Sequence, residues 1–171
     1  MKSQDVLEIY KLLDSNGIEL WIDGGWGVDA LLVEQTRPHK DLDVVLEEKN
    51  VQKLTELLSE NGYKNVTRDD TSPWNFVMGD NNGHQVDIHV FILDSEGNGW
   101  YGDRGLTYPA ASFLGKGTID GVEVKTISAE QIIKFVSPWL YKKRKKNIAD
   151  MTALCDKFKI PYPPELKAVL N

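Results

Sequence analysis

The chain has 171 residues, enough for one domain or one domain with a small helical appendage. An apolar fraction of 41 % supports a packed core, and a formal charge of −6 disfavours broad, sequence-independent nucleic-acid binding, which runs on phosphate neutralisation, while leaving room for a local basic pocket. The single cysteine, Cys155, excludes an intrachain disulfide and a thiolate metal cluster, and its helix-patterned surroundings make it a small buried residue.

The N-terminal segment carries acidic residues through its apolar positions, unlike a signal peptide, and no apolar run is long enough for a bilayer, so the cytoplasm is the expected location. Residues 3–15 place Val6, Leu7, Ile9, Tyr10, Leu12 and Leu13 at helical spacing, and Asn16-Gly17 stops the helix. Ile18 to Ile22 reads as a short buried strand, and Gly25 to Val33 as a helix opened by the pair Gly24-Gly25. A polar loop over 34–40, with Pro38, leads into a strand containing Leu42, Val44, Val45 and Leu46. Residues 50–59 set Val51, Leu54, Leu57 and Leu58 on one helical face, ended by Asn61-Gly62.

The middle is β-rich. Trp74 to Met78 and Gln85 to Leu93 are strand-like, separated by the turn signal Gly79-Asp80-Asn81-Asn82-Gly83. Residues 94–116 give no assignable pattern, and 117–126 read as a second hairpin around Asp120-Gly121. Ser128 with Gln131 predicts a capping box, Pro138 interrupts the helix it opens, and a last helix spans 144–158 with Ile148, Met151, Leu154, Cys155 and Phe158 on its apolar side. The fold class is therefore α+β: a small mixed sheet backed by helices on one side, over residues 1–127, with a C-terminal helical segment, 128–171, packed beside it.

The chemistry concentrates in three places. Asp41 and Asp43 are two residues apart on a strand, so they share a face, about 7 Å apart along it. Two such carboxylates suit Mg²⁺, which takes oxygen ligands and keeps phosphates in its shell; two ions can stabilise both the attacking and the leaving oxygen of an in-line displacement. Upstream, Gly24-Gly25 sits between strand and helix, where backbone N–H groups and the helix dipole form an anion site that a close-approaching phosphate can use. Asp87 stands inside the apolar run Gln85–Val90, where an acid is costly unless paired or metal-bound. Should the Asp87 strand pair with the Asp41–Asp43 strand, three carboxylates converge, with Asp87 a third ligand or the base for an acceptor hydroxyl. Nucleotidyl transfer is the leading reading of these parts.

WIDGGWGVDALL, RPHKDLDVVL and QVDIHVF together resemble the small antibiotic nucleotidyltransferases of the polymerase-β superfamily, most closely the lincosamide nucleotidyltransferases and next the aminoglycoside 2″-nucleotidyltransferases. The shared pattern falls on Gly24, Gly25, Trp26, Asp29, Arg37, His39, Asp41, Asp43 and Asp87, sharply over 18–46, well over 84–92 and vaguely elsewhere. The resemblance implies a polymerase-β-like nucleotidyltransferase fold. It also implies transfer of AMP from ATP, with Mg²⁺, to a hydroxyl of a small antibiotic. Asp41 and Asp43 would bind metal, and Asp87 would be ligand, base or both. The candidate nucleotide-binding residues are Gly24, Gly25, Trp26, Arg37 and His39 of this pattern, with Lys146 from the basic run at 142–146.

Other residues carry alternatives. His39 is as suited to a loop surface as to a phosphate or carboxylate, and His89 to a structural role as to a substrate or supporting one. His84, in a turn, is expected in solvent. Arg37 and Lys40 put positive charge just ahead of the acidic strand. Lys142 to Lys146 form the one dense basic run, at a helix start where the dipole disfavours it, which points to triphosphate contact; Asp150 is placed to pair with Lys146 at i,i+4. Trp74, Trp100, Tyr101, Tyr108, Trp139 and Tyr141 fit core packing or an acceptor site equally. Glu96, Asp103 and Glu123 would suit a cationic acceptor such as an aminoglycoside. A minimal nucleotidyltransferase acting on a protein or RNA partner and a non-catalytic nucleotide- or metal-binding module remain the alternatives, and a homodimer could complete the acceptor cleft.

Overall fold

The computed structural model of the chain describes residues 1–102 and 105–171. Helix α1, Ser3–Ser15, buries Val6, Leu7, Ile9, Tyr10 and Leu13, and Gly17 leaves it with φ at 73°. Strand β1, Leu20–Asp23, runs straight into α2, Gly24–Leu32, and Asp23 caps that helix by accepting the Gly24 N–H at 2.8 Å. Strand β2 covers Asp41–Glu47, helix α3 Val51–Glu60, and strands β3, β4 and β5 cover Lys64–Val66, Asn75–Gly79 and Gln85–Leu93.

The stretch 94–116, without pattern in the sequence, folds as two three-residue strands, β6 (Gly99–Tyr101) and β7 (Leu106–Tyr108), a 3₁₀ turn at Ala110–Leu114, and the first residues of β8. Three residues are too few for alternation to show. Strands β8, Gly115–Ile119, and β9, Val122–Thr126, form the hairpin expected around Asp120-Gly121. Helices α4 (Ala129–Val136), α5 (Lys145–Phe158) and α6 (Pro164–Leu170) follow.

Among the described residues the sheet runs β3-β4-β5-β2-β1-β9-β8, with β6 and β7 continuing from β5. It is mixed: β2 pairs parallel to β5 and antiparallel to β1, and β9 joins β1 in parallel through Ile22 and Thr126. The parallel β2–β5 pair holds α3 and the β3–β4 excursion between its strands, as a parallel connection must.

Helices lie on both faces, which corrects the one-sided expectation. Alternation along β2 explains why both faces need cover. Leu42, Val44 and Leu46 point into a core with Leu20, Ile22, Val86 and Ile88, closed by α1 and by Leu54 and Leu58 of α3. Val45 points the other way, with Trp21 and Phe91, into a second core made with Ile132, Ile133, Met151 and Leu154. Burying a side chain of this size contributes roughly 1.5–3 kcal/mol, so this second cluster anchors the C-terminal helices onto the sheet. Two details differ from the sequence patterning. Phe158 is 40 % exposed where α5 ends, and Gln131 donates to the Thr107 carbonyl rather than completing a capping box, although Ser128 still caps α4.

Candidate active site

The register of three strands sets the site. Asp23 of β1 faces Asp43 of β2, and Asp43 faces Asp87 of β5, so one carboxylate from each strand stands in a row on one sheet face. Asp41 lies two residues ahead of Asp43 on that face, opposite Gln85. His89, two residues beyond Asp87, turns Nε2 to within 3.7 Å of Asp43 Oδ1 and 3.8 Å of Asp87 Oδ1. Ligand atoms of Asp43, Asp87 and His89 all lie within 4.8 Å of one another, close enough to hold a metal ion. Asp41 is not part of that triangle; it stands at the cleft beside it.

Supporting contacts fix these groups. Tyr101 Oη lies 3.1 Å from His89 Nδ1 and donates to Asn75 Oδ1 at 3.3 Å, which leaves Nε2 directed at the acids. Arg68 donates to Asp87 Oδ2 at 3.1 Å and to Gln85 Oε1 at 2.8 Å. The other oxygen, Asp87 Oδ1, is buried without a hydrogen-bond partner. Such an orphan is costly and fits a missing cation or proton. Burial pushes the Asp87 carboxyl up; His89 opposes this, and Asp43 adds to it. Burial likewise pushes Asp23 up to about 6, again against His89 and with Asp43. For His89 burial works against the charged ring, but the Asp43 contact and the charges of Asp43, Asp87 and Asp23 outweigh it and raise its pKa.

The glycine pair makes room for side chains. A Cβ on Gly24, whose φ is 58°, would stand 2.0 Å from Asp43 Oδ2; one on Gly25 would stand 2.2 Å from His39 Nδ1. His39 is 6 % exposed and bonds through Nε2 to the buried Asp29 carboxylate. Arg37 donates to His39 Nδ1 at 2.9 Å, which fixes Nδ1 as acceptor and Nε2 as donor. Thr36 donates to Asp29 through its N–H and hydroxyl at 3.2 and 2.7 Å. Burial works against the Asp29 anion, but the bonds from His39 and Thr36 hold its carboxyl below the usual range. Arg37 continues the chain to Asp150 of α5 at 2.8 Å. That pairing replaces the expected Asp150–Lys146 contact. The loop before β2 is thus tied to α2 on one side and α5 on the other.

Between this loop, the acids and helices α4 and α5 lies a cleft of about 550 Å³. Gly24, Gly25, Arg37, His39, Asp41, Asp43 and Lys146 line it, as does Lys40. Lys146 is the member of the basic run that does so; Lys142 instead sits 4.4 Å over the Trp139 ring. Trp26 does not reach the cleft. At 1 % exposure it points from α2 into the core and packs on the His39 ring, 4.9 Å between centroids. His84 is half-buried rather than in solvent, held at 3.0 Å from Asp80. Glu123 pairs with Lys116 on the β8–β9 surface, Glu96 sits in an exposed turn, and Asp103 lies outside the described residues.

A second cavity, about 590 Å³, opens on the other side of Asp23. Its walls include the rings of His89, Tyr101, Tyr108, Phe135 and Trp139, with Leu106, Thr107 and Lys134 beside them, so we call it the aromatic cavity. Asp23 and Phe135 border both cavities. Asp23, Arg68 and the Tyr101 hydroxyl escaped the sequence reading. Asp23 alone had a signal, an acid between a strand and a glycine pair, and its capping role accounts for that signal equally well.

A family model described as aminoglycoside-2″-adenylyltransferase matches residues 5–154. A lincosamide resistance protein from Staphylococcus haemolyticus is 31 % identical over 103 residues, covering 57 % of this chain and 63 % of that protein's length. A 2″-aminoglycoside nucleotidyltransferase from Escherichia coli is 43 % identical over 47 residues, 26 % of this chain and 27 % of that one. In structure the chain is similar to the lincomycin-bound lincosamide adenylyltransferase LnuA, with TM-score 0.77 at 24 % identity over 90 % of this chain and 96 % of that one. It is also similar to ANT(2″)-Ia in complex with adenylyl-2″-tobramycin, with TM-score 0.76 at 21 % identity over 98 % and 93 %. The mixed sheet and helices are those of the polymerase-β-like nucleotidyltransferase fold.

Proposed function

Because the chain belongs to the aminoglycoside-2″-adenylyltransferase family, we propose that it moves AMP from ATP, with Mg²⁺, to a hydroxyl of a small antibiotic of the lincosamide class. The observation that carries this is the row of carboxylates at the junction of two cavities, one polar with Arg37, Lys40 and Lys146, the other aromatic. The polar cleft suits a triphosphate. The aromatic cavity suits an acceptor with an apolar face better than a polycation, since Asp23 is the one carboxylate on its described wall. Residues 1–127 carry the acids, and 128–171 roof the cleft with Ile132, Phe135, Lys146 and Asp150.

In this reading Asp41, Asp43 and the orphan Oδ1 of Asp87 would hold the magnesium. When bound, the metal neutralises charge on the phosphates and lowers the pKa of the acceptor hydroxyl. Arg37 and Lys146 orient the triphosphate tail from the opposite wall. The acceptor oxygen forms its bond to the α-phosphorus, the bond to the β,γ-pyrophosphate breaks in line, and Asp87 takes the hydroxyl proton. Positioning and charge compensation suffice for such a transfer without a covalent enzyme intermediate.

The test is pyrophosphate release from Mg·ATP with lincomycin or tobramycin as acceptor, with the product identified by mass. Adenylyl-lincomycin is the expected product, and Asp43→Asn should lower its formation by about a hundredfold to a thousandfold with an unchanged or higher melting temperature. Release only with tobramycin would move the acceptor class to aminoglycosides. Near-wild-type turnover in Asp43→Asn would remove the metal assignment.

A further inference from the structure

Asp23 is unused by the scheme above, yet it is the carboxylate that borders both cavities. Its Oδ1 is committed to the Gly24 N–H, and its Oδ2 has no hydrogen-bond partner among the described residues. The row order places it on the side of Asp43 opposite Asp87, so it lies away from the Asp43–Asp87–His89 triangle and towards the acceptor wall. Of its polar neighbours on that wall, His89 has its Nδ1 engaged by Tyr101. A free carboxylate oxygen at the inner end of an aromatic cavity is a hydrogen-bond acceptor awaiting a donor.

We propose that Asp23 is a specificity-determining residue that orients the acceptor, its Oδ2 accepting a hydrogen bond from a hydroxyl of an apolar-faced, polyhydroxylated ring lodged in the Tyr101–Tyr108–Phe135–Trp139 cavity. The aromatic walls hold the ring by its apolar face, and Asp23 fixes its rotation, so that one hydroxyl is presented to the α-phosphate. This rests on the adenylyl-transfer reading and names the contact that selects the acceptor hydroxyl.

The substitution Asp23→Asn separates the two functions of the side chain. Asparagine keeps an oxygen for the Gly24 N–H and is as good a helix cap, but it replaces Oδ2 by an NH₂ that cannot accept. Asp23→Ser also retains a capping oxygen and shortens the reach. Kinetics with lincomycin as the acceptor, and calorimetric binding of Mg·ATP, form the test. Both variants should raise the lincomycin KM by about tenfold to a hundredfold, the range for a lost charge-assisted hydrogen bond, while the Mg·ATP affinity stays within about twofold of wild type. A product mixture adenylylated at more than one hydroxyl is the second expected signature. An unchanged lincomycin KM, or an equal loss of Mg·ATP affinity, would overturn the proposal; the latter would make Asp23 a nucleotide or metal residue. Failure of the wild-type chain to adenylylate lincomycin would instead defeat the underlying reading, and with it this one.

Discussion

Asp23→Asn should make the ligand-free protein more stable at neutral pH. In the folded chain the Asp23 carboxyl titrates near 6, raised from 3.8 first by burial and then by Asp43, against the opposing charge of His89. With each pKa unit equivalent to ~1.4 kcal/mol, that rise means ionised Asp23 costs the fold about 3 kcal/mol at pH 7, an upper bound because water and side chains relax around it. The sign follows from linkage. Below pH 3.8 Asp23 is protonated in both states and costs nothing; between 3.8 and about 6 the unfolded chain ionises first and stability falls; above 6 the penalty is constant. Asparagine is neutral throughout and keeps the helix cap. Urea unfolding of both proteins from pH 4 to 8 reads the effect of the Asp23 charge together with its coupling to Asp43 and His89, since groups remote from Asp23 cancel in the difference. The variant should gain on wild type as pH rises and level off above about 6. A difference independent of pH, or a variant less stable than wild type at pH 7.5, would refute the electrostatic account of this row.

Gly25→Ala should cost about 1–3 kcal/mol in urea unfolding, the usual range for forced overpacking, because its Cβ would meet the His39 ring at 2.2 and 2.5 Å while Nε2 is held by buried Asp29; a fully stable variant would show that the loop yields freely. Lys146→Ala removes an exposed side chain and should alter stability by less than about 0.5 kcal/mol, while raising the ATP KM about tenfold to a hundredfold through loss of a charge-assisted phosphate contact. An unchanged ATP KM would take Lys146 out of the nucleotide site.

The clustering of Asp41, Asp43 and Asp87 was legible in sequence because their placement follows period rules. Two-residue spacing put Asp41 and Asp43 on one face, and an acid amid apolar strand residues marked Asp87, which the parallel register then set beside Asp43. The partners of buried groups were not legible. Nothing local says that Asp150 takes Arg37 from 113 positions away, or that Arg68 covers Asp87. Trp26 shows the opposite error. Its place in a recognised motif suggested a ligand contact, whereas the third position of a helix leaving the sheet points it inward, against His39. The basic run was read as a block, yet the left-handed turn at Lys143 separates Lys142, stacked on Trp139, from Lys146 on α5 in the cleft.

The same contrast separates the polar cleft from the aromatic cavity. The polar cleft is braced by one continuous chain, Thr36 and His39 on Asp29, Arg37 on His39, and Asp150 on Arg37, which joins α2, the loop and α5. The aromatic cavity draws mostly on other elements, β6, β7, the end of α4 and the 3₁₀ turn that carries Trp139, with His89 of β5 the wall residue that also faces the acids. Of the described residues, Asp23 and Phe135 alone border both. Substitutions at 106–108 can therefore reshape the aromatic wall without disturbing the bracing of Asp41 and Asp43. The two halves meet at Asp23 and Phe135, and the Tyr101–His89 contact links the aromatic wall to the acids. It follows that, on the proposed function, changes at Leu106 or Trp139 should move acceptor preference alone, whereas any change at Asp29 or His39 must reach Asp41 and Asp43 through the loop that leads into β2.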